Sequence, residues 1–129
     1  MINILVVTHG EMAEGIVHSA KMFTSEAKNV EFLCLMEDMG QDELFDLMYE
    51  KMKGLSIDEQ FLIFCDIMGG TPFKISSKFS FNNDNVAVFY GVNLPILVHA
   101  ILSRGGRSLS SLTSELVEVS HDSLGLGAI

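Results

Sequence analysis

Four short apolar runs, separated by longer amphipathic stretches, constrain this chain more than any other feature of it. The first, Ile2-Asn3-Ile4-Leu5-Val6-Val7, is nearly all apolar, as a strand covered on both faces should be. The second, Val30 to Leu35, is interrupted by Glu31, which places it at a sheet edge, where a charge is tolerated. Phe61-Leu62-Ile63-Phe64-Cys65 is the most apolar and is expected to be central, and residues 86–90 form the fourth run. Strands alternating with helices imply parallel pairing through right-handed crossovers. The expected fold is therefore α/β, a small doubly wound sheet, and 129 residues leave room for one domain, 1–129.

The intervening stretches read as helices. From Glu11 onward, Met12, Ile16, Ala20 and Phe23 share one face. Residues 41–53 carry Asp42 and Glu43 in the first turn, Lys51 and Lys53 in the last, and Gly54 as a stop. Leu44, Leu47, Met48 and Met52 form the expected buried stripe of that helix. Thr71-Pro72 reads as N-cap plus first-position proline of a short helix reaching about Ser80. Asn93 caps a helix that holds Pro95 in its first turn and runs through Ser103, where Gly105-Gly106 stops it. Residues 108–119 form the last helix, with Leu109, Leu112 and Leu116 aligned, and the tail 121–129 carries no strong signal.

Charge and cysteine content narrow the function classes. Eight Lys and Arg against seventeen Asp and Glu give a net charge of −9. That balance argues against nucleic acid and anionic membranes and suits a basic protein partner. Cys34 and Cys65 each lie inside an apolar run and form no CxxC pair, so neither a disulfide framework nor a structural zinc site is expected. The apolar start runs straight into Thr8-His9-Gly10, too short for a signal segment, and no apolar run reaches about 18 residues. A soluble, cytoplasmic protein is expected.

In a doubly wound sheet, ligands and chemistry gather beyond the carboxyl ends of the strands, at the switch point. Thr8-His9-Gly10-Glu11 follows the first strand, Asp66-Ile67-Met68-Gly69-Gly70-Thr71-Pro72 the third, and Gly91-Val92-Asn93-Leu94-Pro95 the fourth. If strands one and three are neighbours, His9 faces Asp66. A neutral imidazole can then attack phosphorus with one ring nitrogen while the carboxylate holds the other N–H and stabilises charge on the ring. Gly69-Gly70-Thr71 ends at a helix N-terminus, where backbone N–H groups and the dipole favour an anion. The Thr71 hydroxyl either caps its helix or donates to a phosphoryl oxygen. No P-loop lysine or aspartate cluster appears, so no cofactor, metal or nucleotide–Mg²⁺ site is expected. His18 and His99 fall inside helical patterns as packing or surface residues.

At these residues the sequence closely resembles the enzyme IIA domain of the mannose-type (mannose–fructose–sorbose) family of the bacterial sugar phosphotransferase system. The resemblance covers nearly the whole chain and rests on Val6-Val7-Thr8-His9-Gly10, Asp66-Ile67-Met68-Gly69-Gly70-Thr71-Pro72-Phe73 and Gly91-Val92-Asn93-Leu94-Pro95-Ile96-Leu97. It implies that His9 is phosphorylated, that Asp66 orients it, and that Thr71 is the family's hydroxyl residue; with the helix start read above, Met68, Gly69, Gly70 and Thr71 are expected to hold the phosphoryl group. It further implies a phosphocarrier that takes this group from the histidine phosphocarrier protein and passes it to a IIB component, which serves a membrane permease. The implied sheet order is 2-1-3-4, in a homodimer that exchanges a C-terminal strand. The glycine-rich tail through Ile129 departs from that pattern. Docking is expected on a shallow apolar patch ringed by acidic residues, with Met12, Met68 and Phe73 as contacts.

Other readings are weaker. A receiver domain shares the topology but needs an acidic pair after strand one, where this chain has Thr8-His9. A phosphotransfer subunit of a dihydroxyacetone kinase system also carries a histidine there, without an expected Gly-Gly-Thr-Pro. A IIA-like regulatory module that senses phosphorylation state has the same sequence signature as a transport component.

Overall fold

The computed structural model describes residues 1–53 and 58–128, and the expected helix stop at Gly54 lies outside them. The elements run β1 (Ile2–His9), α1 (Met12–Ala20), β2 (Val30–Leu35), α2 (Gln41–Met52), β3 (Gln60–Cys65), α3 (Thr71–Ser80), β4 (Val86–Phe89), α4 (Leu94–Ser103) and α5 (Leu109–Ser120). The four strands form a parallel sheet in the order β2-β1-β3-β4, as the resemblance implies. Glu31 accordingly sits on an edge strand, exposed, with Lys51 of α2 at 3.8 Å.

Alternation along the strands builds two cores. Ile2, Ile4 and Val6 of β1, with Leu62 and Phe64 of β3, pack under α1, α4 and α5. Leu5, Val7, Ile63 and Cys65 pack under α2 and α3. The central strands are buried on both faces, which is why their sequence reads as continuous apolar runs. Among the described residues, no helix is long and apolar enough to cross a membrane.

Several sequence expectations shift. The buried face of α1 is Ala13, Val17 and Ala20, about one position round from the expected stripe. Small residues there let the helix lie close to the sheet, so Met12 is exposed, Ile16 half-buried, and Phe23, beyond the helix end, exposed. On α2, Leu44, Met48 and Met52 are buried but Leu47 is exposed. Phe45 stacks on Phe79 of α3 at 4.8 Å and occupies one flank, which leaves Leu47 on the other, toward solvent. Helix α3 is capped by Gly70, so Thr71 is its first residue and Pro72 its second, and Thr71 makes no capping bond. Asn93 caps α4 through Ile96 N–H, and Ser108 caps α5 through Ser111 N–H. The tail, residues 121–128, forms neither helix nor strand in this single chain.

Arg104, just past α4, is a buried cation that sequence patterning does not reveal. It is 3% exposed, and its guanidinium donates to the carbonyls of Ile2 (3.0 Å), Glu26 (3.0 Å), Asn29 (3.3 Å) and Lys28. Five donors in a planar fork match several carbonyls converging from the β1 start and the segment before β2. Burial draws its pKa below the ordinary guanidinium value, partly offset by the Glu26 carboxylate. Arg104→Met removes every donor while keeping much of the volume. We expect a loss of about 3 kcal/mol or more in urea unfolding, because buried carbonyls lose their partners. Arg104→Lys should recover only part of it, and a loss of under about 1 kcal/mol for Arg104→Met would contradict this account.

Candidate functional site

The site forms because β1 pairs with β3 in register Val7↔Cys65, so His9 at the end of β1 and Asp66 just past β3 emerge near one another at the carboxyl end of the sheet. Asp66 Oδ2 accepts the backbone N–H of His9 at 2.9 Å and meets its Nδ1 at 2.7 Å. Asp66 Oδ1 accepts Ile67 N–H at 2.9 Å. Partial burial pushes the Asp66 carboxyl up. The His9 backbone and ring bonds, the Ile67 bond and the His9 charge outweigh that and hold it below the usual carboxylate range. An ionised carboxylate only accepts, so in the neutral ring Nδ1 carries the proton and Nε2 keeps its lone pair. The His9 side chain is 47% exposed against 13% for Asp66: the ring is reachable while its orienting acid is sheltered.

The glycine-rich segment meets this pair directly. A Cβ on Gly70 would stand 2.8 Å from His9 Cε1 and 3.2 Å from Ile67 Cγ1, so only glycine lets the start of α3 close on the ring. Gly69 takes φ +84°, in the region that favours glycine. The N–H groups of Thr71 and Phe73 in the first turn of α3 precede the first intrahelical bond, Lys74 N–H to Gly70 O at 2.9 Å. Thr71 lines the same open groove as His9.

Of the other expected residues, Met68 is 65% and Met12 43% exposed. Phe73 is half-buried, packed against the α2/α3 core and edge-on to Tyr90 at 5.9 Å. The loop after β4 serves as a support: Gly91 N–H donates to Asp66 O at 2.9 Å and Val92 N–H to Cys65 O at 3.1 Å. Cys65, next to Asp66, is no competing nucleophile. Burial pushes its thiol up to about 11 despite a bond to Ser76 Oγ. His18 lies exposed against Phe32, and His99 bonds Glu115 of α5 at 2.6 Å.

Sequence reasoning missed the residues after β2. Leu35, Met36, Glu37, Asp38 and Met39 line the groove beside His9, Gly10, Glu11 and Thr71. His9 pairs with Leu35 in the sheet, and Gly10 N–H donates to Leu35 O at 2.8 Å. The signal was available, since the rule that directs attention to strand ends applies to β2 as well.

Residues 3–118 match the family described as PTS system fructose IIA component. The chain is 26% identical over 123 residues to the "PTS system fructose-specific EIIA component" of Bacillus subtilis (strain 168), covering 95% of this chain and 84% of that protein. It is 28% identical over 103 residues to the "PTS system mannose-specific EIIAB component" of Escherichia coli (strain K12), covering 80% of this chain but only 32% of that protein. The crystal structure of phosphotransferase system component EIIA from Streptococcus agalactiae superposes with a TM-score of 0.89 at 26% identity, covering 98% of this chain and 97% of that one.

Two outcomes follow from the geometry. Gly70 has φ −75° and ψ 172°, which alanine adopts freely, so the obstacle to Gly70→Ala is the His9 ring and, less tightly, the Ile67 side chain. It should displace the imidazole and abolish the Asp66-bonded Nδ1–H signal in NMR spectra with little change in unfolding midpoint. A retained signal would show that the close approach is not what seats the ring. Asp66 titrates lower folded than unfolded, so its stabilisation is complete above about pH 4 and is lost as pH falls through the depressed folded value. The stability gap between wild type and Asp66→Asn should be full at neutral pH and close in acid. A gap independent of pH would contradict it.

Proposed function

This chain belongs to the fructose/mannose-type IIA components of the sugar phosphotransferase system, and from that premise we propose that His9 is its phosphoryl carrier. The observation that carries the reading is the 2.7 Å contact between His9 Nδ1 and Asp66 in a ring whose other nitrogen has no hydrogen-bond partner among the described residues. The Nε2 lone pair attacks the phosphorus of a phosphohistidine on the histidine phosphocarrier protein. The new Nε2–P bond forms as the donor's N–P bond breaks, and the donor imidazole leaves with that electron pair. Nδ1 keeps its proton throughout, and Asp66 stabilises the positive charge that builds on the His9 ring.

In this reading Met68, Gly69, Gly70 and Thr71 hold the phosphoryl oxygens, through backbone N–H groups and the Thr71 hydroxyl, at a helix N-terminus that favours the anion. The reverse step delivers the group to a IIB component, and the permease it serves is reached only indirectly. Exposed Met12 and Met68 suit a surface that two different partners use in turn, because a thioether repacks readily. Glu11, Glu37 and Asp38 on the groove wall, with a net charge of −9, favour partners with a basic face. We read 1–129 as one cytoplasmic IIA unit that works as a homodimer.

Incubation with phosphoenolpyruvate, enzyme I and the histidine phosphocarrier protein, followed by intact mass measurement, tests the reading. Wild type should gain about 80 Da, one phosphoryl group, in an acid-labile and base-stable form, and His9→Ala should gain nothing. Full phosphorylation of His9→Ala would end the proposal. Asp66→Asn should fold and transfer on the order of 10² more slowly, because its amide offers N–H to the ring and lacks the charge. Thr71→Val should lose only ~10-fold, since backbone donors remain. A larger defect in Thr71→Val than in Asp66→Asn would reverse the assigned roles.

A further inference from the structure

We infer that Thr8 is a positioning residue for His9, acting through a buried hydroxyl that locks the turn carrying the imidazole. The inference rests on the reading of His9 as phosphoryl carrier. Thr8 is fully buried, at 0% exposure, one residue before the reacting ring. Its Oγ1 accepts the Ala13 backbone N–H at 2.8 Å and donates to the His9 carbonyl at 3.1 Å. One hydroxyl thereby ties the end of β1, the carbonyl of His9 and the start of α1 together.

That bond is not the usual cap. The residue at the N-cap position of α1, Glu11, makes no side-chain capping bond, and Thr8 reaches across the turn from three residues earlier. Two other helices that follow strands, α3 and α4, solve the same problem by removal. Pro72 and Pro95 are the second residues of α3 and α4, where a proline leaves no N–H to satisfy. Helix α1 keeps an N–H at its second residue, Ala13, and supplies a buried acceptor for it. The consequence falls on His9. Its backbone N–H is held by Asp66, its carbonyl by Thr8, and the following Gly10 N–H by Leu35 O, with Gly10 at φ +60°. With the peptide units on both sides of its Cα fixed, the ring meets Asp66 without a search.

Thr8→Val keeps the shape and deletes the hydroxyl, leaving the Ala13 N–H without its acceptor. Thr8→Ser keeps the hydroxyl. Both are measured for melting temperature, for phosphoryl uptake from the histidine phosphocarrier protein, and for the ¹⁵N signals of the unphosphorylated His9 ring. We expect Thr8→Ser to transfer within about twofold of wild type and Thr8→Val to be about tenfold or more slower, as a small displacement of a reacting group produces. The Nδ1–H form that dominates in wild type should become mixed in Thr8→Val.

A second variant separates positioning from folding. Thr8→Ala with Ala13→Pro removes donor and acceptor together, and the proline ring takes the space the Thr8 side chain leaves. It should regain melting temperature relative to Thr8→Val and not regain rate or ring signature. Recovery of rate along with stability, or an unchanged rate and tautomer in Thr8→Val, overturns the inference. If wild type takes no phosphoryl group, the reading of His9 falls, while the ring signature still decides for or against Thr8.

Discussion

The parallel pairing of β1 with β3 is the constraint on which the rest of the molecule depends. Residues 57 apart in sequence, His9 and Asp66 meet because the strands run side by side, with His9 closing β1 two residues past the Val7↔Cys65 pair and Asp66 following β3 directly. Any other neighbour for β1 would leave the histidine without its acid. The pairing is held by burial on both faces. Alternate residues of β1 enter different cores, so a slip of one residue would exchange the two sets and misplace the pair at once.

The two poles of the sheet are stabilised by different means. At the amino end, Arg104 gathers carbonyls from β1 and from the segment before β2 in a site nearly closed to water. At the carboxyl end the polar groups are satisfied one by one, by Asp66, Thr8, Leu35 O and the Gly91 and Val92 amides, and the ring of His9 remains open. A charge can be locked permanently where nothing must bind. A phosphoryl carrier, as proposed for His9, has to be oriented without being covered, and short hydrogen bonds to its backbone and one ring nitrogen accomplish that.

Electrostatics acts at two ranges around the same residue. Within hydrogen-bond distance, the Asp66 carboxylate meets His9 Nδ1, and in the proposed transfer it stabilises the charge that builds on the ring. Farther out, the groove wall carries Glu11, Glu37 and Asp38, whose field is screened over about 8–10 Å at ordinary salt. In the proposed function the first governs chemistry at the nitrogen, and the second governs encounter with a partner and its charge.

Much of this was legible in the sequence. Apolar runs marked all four strands, the interrupting Glu31 marked an edge, and Asn93 and Ser108 marked two helix starts. His9, Asp66 and the Gly69-Gly70-Thr71 segment stood where a switch point would place them. These features depend on local chemistry and on period, which a linear pattern carries. What only the tertiary structure decided involves contacts whose partners are distant in sequence. Which face of α1 is buried depends on how closely it lies on the sheet, which favours Ala13 over Met12. The fate of Leu47 depends on Phe79 of another helix. That Gly70 must be glycine depends on where the His9 ring comes to rest, that Arg104 is buried depends on carbonyls that converge only in the fold, and that the loop after β2 lines the site depends on β2 lying beside β1. A sequence specifies which groups are present and in what rhythm; which of them touch is settled only when the sheet brings strands from separate parts of the chain side by side.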